Sequence, residues 1–316
     1  MQTLILGHDP QGLAVAAELL ARGELVAIPT ETVYGLAGDA RDPQAVARIY
    51  QAKGRPSFNP LIVHVPDLAA AERIAVLDDA ALALARAFWP GALTMVLPLR
   101  PRAGIASLVT AGLDTVAIRV PAHPAAQAVL RAFGGPLAAP SANPSGRISP
   151  TAAAHVADPE TGLGGRIAAV LDAGACPVGV ESTIVGWVDG QPALLRPGGV
   201  AAEAIEAVLG RPLSRPAGNA EAPTSPGQLT SHYAPRASLR LNAGDARPGE
   251  LLIGFGPVAG EMTLSATGDL TEAAARLFDL LHRADAEGRP IAVAPVPDQG
   301  LGAAINDRLR RAAAPR

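Results

Sequence analysis

The sequence predicts an open α/β sheet carrying helices, followed by a smaller second α/β layer. Three observations carry that expectation. Of the 316 residues 49% are hydrophobic but only 3% are aromatic, so the core is built mainly from Ala, Val, Leu and Ile, which suits sheet-and-helix layers. Strand-like apolar runs alternate with helical patterns to about residue 210. A proline-rich stretch then interrupts the alternation, which resumes beyond it. At this length two domains and a well-buried core are available.

In chain order, residues 24–29 read as a strand. Asp42 and Pro43 supply an N-cap and a first-turn proline for a helix running to Lys53, where Gly54 can take the left-handed stop. Apolar strands follow at 61–65, 92–97, 115–120, 137–139, 169–171, 183–187 and 193–195, with helices near 79–88, 124–133 and 201–209. Residues 211–237 hold five prolines (212, 216, 223, 226 and 235) among Gly, Ser and Asn, a composition that favours an extended linker. Past it, strands at 239–241, 251–254, 262–264 and 291–294 with helices at 271–286 and 303–313 form the second layer. The expected units are therefore 1–210, the linker 211–237, and 238–316.

Net charge is -3 and the pI about 6.1, which argues against a broadly basic nucleic-acid-coating or membrane-surface protein. Any anion site must be local. Cys176 is the single cysteine, so an intramolecular disulfide and a thiolate metal cluster are excluded, and a reducing compartment fits. The histidines (His8, His64, His123, His155, His232 and His282) show no paired metal-ligand spacing, and no zinc is expected. No apolar stretch approaches the roughly 20 residues needed to span a bilayer. A cytoplasmic protein with no membrane partner is expected.

Lys53 is the only lysine, arginine supplying the other 25 of 26 basic residues. One position held as lysine in an arginine-rich sequence points to a need for a compact ammonium on a flexible stem, which can follow a phosphate or a developing negative charge. It opens the stretch 53–64, where Lys53, Arg55, Asn59 and His64 lead into an apolar strand. A polyanion site explains this cluster; a solvated surface lysine is the bland alternative. Five further segments could carry chemistry. Thr30, Glu31 and Thr32 crowd the carboxyl end of an apolar strand, where ligands gather in open α/β sheets, although a capped turn would look the same. Alternation along 115–119 puts Thr115, Ala117 and Arg119 on one face, and the arginine needs an internal acid or a ligand carboxylate. Residues 138–151 pack Ser141, Asn143, Gly146, Arg147 and Ser149 behind a short strand, as a phosphate cradle or an ordinary Ser/Pro loop would. Glu181-Ser182-Thr183 and Arg196-Pro197-Gly198-Gly199 each set polar groups at the edge of an apolar strand. A Walker loop and a Gly-x-Ser-x-Gly elbow are both absent, which makes acyl-enzyme chemistry unsuitable.

Taken together and in this order, these segments closely resemble the threonylcarbamoyl-adenylate synthase family in its longer form, over about residues 10–237. The resemblance implies an open twisted mixed sheet with helices forming a large concave cleft, and a smaller Rossmann-like C-terminal domain. It implies condensation of L-threonine, bicarbonate and ATP to threonylcarbamoyl-AMP and pyrophosphate, for a separate transferase complex that modifies adenosine 37 of tRNA. By that resemblance Thr32, His64, Arg119, the backbone at Ala139 and Ser182 hold threonine. Arg55, Asn59, Thr115, Ser141, Ser149 and Arg196 hold ATP, with Asn143 as an added phosphate contact and Tyr233 carried to the nucleotide by the linker. Lys53, with Arg55, is the catalytic candidate, a mobile cation for the phosphates or the carbamate. Magnesium is implied by the polyphosphate. The chain departs from the family pattern between Ser225-Pro226-Gly227 and His232-Tyr233-Ala234-Pro235, where Gln228, Leu229, Thr230 and Ser231 replace methionine and basic or aromatic residues. Two other readings are a carbamoyltransferase handling carbamoyl-adenylate and an RNA-binding protein without catalysis. The first brings catalytic and zinc modules that this chain lacks, and the second needs a cationic face, whereas residues 1–210 carry a net -4.

Overall fold

A computed structural model describes residues 2–216 and 232–315. The first unit runs β1 (Leu4–Gly7), α1 (Pro10–Ala21), β2 (Val26–Ile28), β3 (Gly35–Asp39), α2 (Pro43–Lys53), β4 (Ile62–His64), α3 (Leu68–Ile74), α4 (Asp79–Phe88), β5 (Leu93–Pro98), α5 (Ser107–Thr110), β6 (Thr115–Arg119), α6 (Pro124–Phe133), β7 (Leu137–Ala138), α7 (Ala153–Ala157), β8 (Ala169–Asp172), β9 (Thr183–Val188), β10 (Gln191–Arg196) and α8 (Ala202–Leu209). The second unit runs β11 (Leu239–Arg240), β12 (Leu251–Gly254), β13 (Met262–Thr263), α9 (Leu270–Ala286), β14 (Ile291–Val293) and α10 (Leu301–Ala312).

The mixed α/β architecture matches the expectation, and local chemistry explains most of the elements. Asp42 accepts from the Gln44 amide at the start of α2, Pro43 opens its first turn, and Gly54 closes it at φ 61°. Six elements have no counterpart in the sequence reading: β1, α1, β3 and the short helices α3, α5 and α7. β1 is an edge strand with Leu4 and Ile5 exposed, and it exists because it pairs in parallel with β8 more than 160 residues away. α1 has local signals of its own, the Asp9 side chain accepting from the Gly12 amide and Pro10 opening the first turn. β3, Gly-Leu-Ala-Gly-Asp, lacks β-branched residues; it is a strand because β2 and β7 flank it on both sides, so tertiary pairing overrides propensity.

Among the described residues the strands form a mixed sheet in the order β1-β8-β2-β3-β7-β4-β6-β5-β9-β10. One face buries Val63, Val116, Ile118 and Val185 against α2, α3, α4, α5 and α8 in the main core. On the other face α1 and α6 cover only the β1 end, around Val26, Ile28, Leu137 and Leu171. The middle strands therefore present Ile62, Val96, Ala117 and Ile184 as the floor of a cleft. By strand alternation His64 and Arg119, paired in register, share that face.

The second unit is an all-parallel sheet, β11-β14-β12-β13, with α9 and α10 packed on it. Its core does not stop at a domain boundary. Leu251, Ile253, Phe278, Leu281 and Ile305 pack in one cluster with Val33, Ile148 and Val180 of the first unit and with Tyr233. At the edges of the proline-rich stretch, Ser214 bridges to Ala193 and Ala234 to Arg147. Ser225-Pro226-Gly227 and Gln228 to Ser231 lie outside the described residues.

Gly198 shows how closely the backbone is packed under the cleft. A Cβ there would lie 2.3 Å from the Thr183 nitrogen and 2.4 Å from the Glu181 oxygen, so this glycine is required by a close approach of two backbone segments. Gly198→Ala is expected to destabilise the protein by about 1–3 kcal/mol, the usual cost of overpacking a rigid site. Urea denaturation checks this, and an unchanged midpoint would contradict the contact.

Candidate active site

Two groups of buried polar residues face each other across the cleft. The first gathers around Arg119 at the end of β6. Its Nη2 lies 2.6 Å from Glu31 Oε1, Nη1 donates to Thr32 Oγ1 at 2.8 Å, and Nε donates to the Gly91 carbonyl at 3.2 Å. The turn after β2 supplies these partners: Thr30 Oγ1 accepts the Thr32 and Val33 amides and lies 2.8 Å from Thr32 Oγ1, which fixes the loop. Burial alone would raise the Glu31 carboxyl, but the Arg119 charge holds it below its ordinary value. Arg119 is thus pinned in one orientation by an internal carboxylate, one of the two partners that its sequence position left open.

His64 sits beside this pair. Burial, reinforced by the Arg119 charge, lowers its imidazole to about 3, so it is neutral at neutral pH. Its Nδ1 lies 3.2 Å from the Ile62 carbonyl and carries the proton there, leaving Nε2 as an acceptor.

The second group is cationic. Lys53 ends α2, is 3% exposed, and donates to the Ser141 and Asn143 carbonyls at 2.5 and 2.6 Å. The expected mobile cation is a fixed one in this structure, tying the 141–143 loop to the end of α2. Burial, then the Arg55 charge, lowers its ammonium well below the ordinary lysine value. Arg55 donates to the Asn59 and Pro60 carbonyls and pairs with no carboxylate among the described residues; burial brings its guanidinium down to about 10. Asn59 is fully buried with neither side-chain amide atom hydrogen bonded, and Asn143 Oδ1 is likewise unpaired. Orphaned buried amides of this kind mark places where a partner is missing.

Glu181, Ser182 and Arg196 complete this side. Ser149 Oγ donates to Glu181 Oε1 at 2.5 Å, and Arg196 donates to the Ser182 carbonyl at 2.9 Å and to its Oγ at 3.3 Å. Thr94 Oγ1 lies 2.7 Å from Ser182 Oγ. Burial would raise the Glu181 carboxyl; the Arg308 and Arg196 charges and the Ser149 hydroxyl lower it instead. His232 is buried with Nδ1 unpaired, and burial together with the Arg55, Lys53, Arg196 and Arg308 charges holds its imidazole well below the ordinary value.

The structure brings most of the sequence-selected residues to one cavity. Thr32, Arg55, His64, Arg119, Ala139, Ser141, Ser182, Arg196 and Tyr233 all line it. Lys53, Asn59, Asn143 and Ser149 are buried beside that cavity and are not among the residues lining it. Thr115 stands apart: it shares the cleft face with Arg119 but sits four residues back along β6, about 13 Å at strand rise, within reach only of the far end of an extended ligand. Glu31, Glu181 and His232 lay in the quoted segments without an assigned role. Arg308 was missed entirely. Its signal was present in α10, where Ile305, Arg308, Leu309 and Ala312 share one face at helical spacing, placing the arginine on the apolar side.

Comparison with known proteins adds a separate line. A family model described as "Telomere recombination" matches residues 18–198, and one described as "Threonylcarbamoyl-AMP synthase, C-terminal domain" matches residues 200–314. A Bacillus subtilis protein named threonylcarbamoyl-AMP synthase is 44% identical over 97% of this chain and 94% of its own length. The chain belongs to the threonylcarbamoyl-AMP synthase family. A Pyrococcus abyssi member of that name is 40% identical over 95% of this chain and 93% of its own length. The crystal structure of P. abyssi Sua5 complexed with L-threonine superposes with a TM-score of 0.89 at 36% identity, covering 98% of each chain. Escherichia coli YciO, 21% identical with a TM-score of 0.53 over 62% of this chain, shares the fold alone. Threonylcarbamoyl-AMP synthases are enzymes, and the paired polar groups of the cleft lie within the region matched by the two family models together.

The buried neutral His64 has a measurable consequence. Its folded value of about 3 lies below the ordinary 6.5, so between those values the unfolded chain binds a proton that the folded chain refuses. Its contribution to stability is complete above pH 6.5 and is lost as pH falls toward 3, with a limiting slope of about 1.4 kcal/mol per pH unit. His64→Gln is expected to flatten the decline of unfolding free energy between about pH 6 and pH 4 by that slope. Urea titrations at several pH values read it directly; parallel curves for the two proteins would show that His64 is not held neutral.

Proposed function

We propose that the cleft joins L-threonine, bicarbonate and ATP into threonylcarbamoyl-AMP with release of pyrophosphate. The observation that carries this reading is an excess of buried positive charge. Lys53, Arg55, Arg119 and Arg196 are each at most 9% exposed, and Glu31 and Glu181 are the buried carboxylates beside them among the described residues. Buried charge is costly unless offset, and an anionic ligand supplies the missing partner. Cations at that depth suit a small polyanion, not an RNA duplex.

Threonine fits the Arg119 group. Its carboxylate would take the guanidinium that Glu31 and the Gly91 carbonyl hold in place, and its hydroxyl and amine would meet Thr32, Ser182, neutral His64 and the Ala139 backbone. The relative solved with L-threonine supports this half of the reading. ATP fits the cationic group, with phosphates on Arg55, Arg196, Ser141 and Ser149, the orphaned amides of Asn59 and Asn143 as further partners, and Tyr233 toward the nucleoside. Bicarbonate carbon joins the threonine amine as a carbamate with loss of water. A carbamate oxygen then attacks the α-phosphorus of ATP; the new P–O bond forms as the bond to the pyrophosphate oxygen breaks, and pyrophosphate leaves. No protein nucleophile is needed, so the chain contributes positioning and charge stabilisation. Lys53 serves that end by fixing the loop that bears Ser141 and Asn143.

Magnesium enters this reading on the ATP phosphates. Among the described residues no group of three or more His, Cys, Asp or Glu could hold a metal ion, and Glu181 is already engaged by Ser149 and Arg308. When bound, the ion would offset phosphate charge. The product is a mixed anhydride that hydrolyses readily, which fits a cytoplasmic enzyme passing it to a transferase acting on tRNA. No described helix is long and apolar enough to cross a membrane.

Pyrophosphate release from ATP is expected only when threonine and bicarbonate are both supplied; release indifferent to threonine would sink the proposal. Lys53→Arg is expected to lower kcat by about 100-fold or more, roughly 2.7 kcal/mol, because a planar fork does not fit between the Ser141 and Asn143 carbonyls. Steady-state kinetics reads this, with near-normal turnover as the contrary result.

A further inference from the structure

The second unit reaches into the cleft with one side chain. Arg308 on α10 has no exposed side-chain surface and crosses the boundary between the units. Its Nε donates to Glu181 Oε2 at 2.9 Å and its Nη1 to the Pro197 carbonyl at 2.6 Å and Asp307 Oδ2 at 3.0 Å, while its Nη2 is buried and unpaired. The guanidinium carbon lies 5.4 Å from the Tyr233 ring centroid, and Tyr233 packs on Phe278 of α9. On the far side of Glu181, Ser149 donates its hydroxyl to Oε1, and the Ser149 carbonyl lies 3.2 Å from His282 Nε2 of the second unit. Ser149 is therefore held at both its backbone and its hydroxyl through α9 and α10.

We propose that Arg308 is a positioning residue through which the C-terminal unit sets the nucleotide side of the cleft, by fixing Glu181 and Tyr233 and, through Glu181, Ser149. The inference rests on the assignment of that side to ATP. In the chain Arg308–Glu181–Ser149 the planar arginine fork bridges the Glu181 carboxylate and the Pro197 carbonyl from two fixed donors, which sets the carboxylate's direction more tightly than a rotating ammonium would. Without Arg308, Glu181 stays buried beside Arg196 and is drawn toward it, which takes Arg196 from a phosphate and releases the Ser149 hydroxyl. Arg119, Glu31 and Thr32 make no hydrogen bond or ion pair with Arg308, Glu181 or Ser149, and Ser182, although next to Glu181, keeps its own hold on Thr94, so threonine affinity is largely retained.

Calorimetry with α,β-methylene-ATP and with L-threonine, on the full chain, tests this. Arg308→Met is expected to weaken the nucleotide analogue by about tenfold or more and to leave threonine affinity within about twofold, with a matching rise in KM for ATP but not for threonine. Unchanged analogue affinity would overturn the inference, as would equal loss of both ligands, which would mark a role in folding alone. Should Arg308→Met fail to fold, the neutral pair Arg308→Gln with Glu181→Gln removes both charges at once; it leaves Arg196 free of a carboxylate but loosens Ser149 and Tyr233, so weaker analogue affinity with threonine affinity kept is again expected, and unchanged analogue affinity again overturns the inference. A wild-type protein that binds neither ligand would fail the reading of the cleft instead, so the two failures are separable.

Discussion

Among the described residues five cations are held out of water around a cleft with only two buried carboxylates beside them, and the rest of the structure depends on that arrangement. Each of these side chains would cost several kcal/mol if left unpaired in the interior. The chain offsets the cost in two ways. Arg119 and Arg308 take the buried carboxylates, Glu31 and Glu181. Lys53 and Arg55 instead donate to backbone carbonyls at 2.5 to 3.2 Å. Carbonyls satisfy donors without neutralising charge, so the site stays positive while its hydrogen bonds are met. That leaves Arg55 both fixed and electrostatically unmatched, which is what an incoming polyanion requires.

The same constraint explains why the helices and loops converge as they do. Asp42, Pro43 and Gly54 fix the length of α2, and this places Lys53 at its carboxyl end against the 141–143 loop. Gly198 allows the β10 exit to press on the Glu181–Thr183 backbone, which fixes both Glu181 and Ser182. The cleft floor of Ile62, Val96, Ala117 and Ile184 excludes water from beneath, so every charge above it acts at low dielectric. The second unit is part of this arrangement through its shared core with Val33, Ile148 and Val180.

Much of the site was legible in the chain because its chemistry is written in short segments. Thr30 to Thr32, Ser141 to Asn143, and Glu181 with Ser182 each flank an apolar strand, Lys53 and Arg55 stand at the end of α2, and strand alternation puts His64 and Arg119 on one face. The α2 caps were equally plain. β1 and β3 were not, because both owe their state to partners distant in the sequence; α1 is absent from the sequence reading although its Asp9 cap and Pro10 stand in the sequence. Thr115 shows the limit in the other direction: alternation gave its face correctly, but only the sheet shows how far along β6 it stands from Arg119.

The sequence by itself determined the fold class, the segments bearing polar groups and the residue types available for an anion, because these follow from local periodicity, capping and composition. Tertiary structure decided the pairings: that Arg119 meets Glu31, that Lys53 spends its donors on two carbonyls, and that Arg308 crosses from the second unit to Glu181. The physical reason is that the energy of a buried charge depends on which partner lies within about 4 Å of it, and that distance is set by chain crossings between residues as much as 127 positions apart.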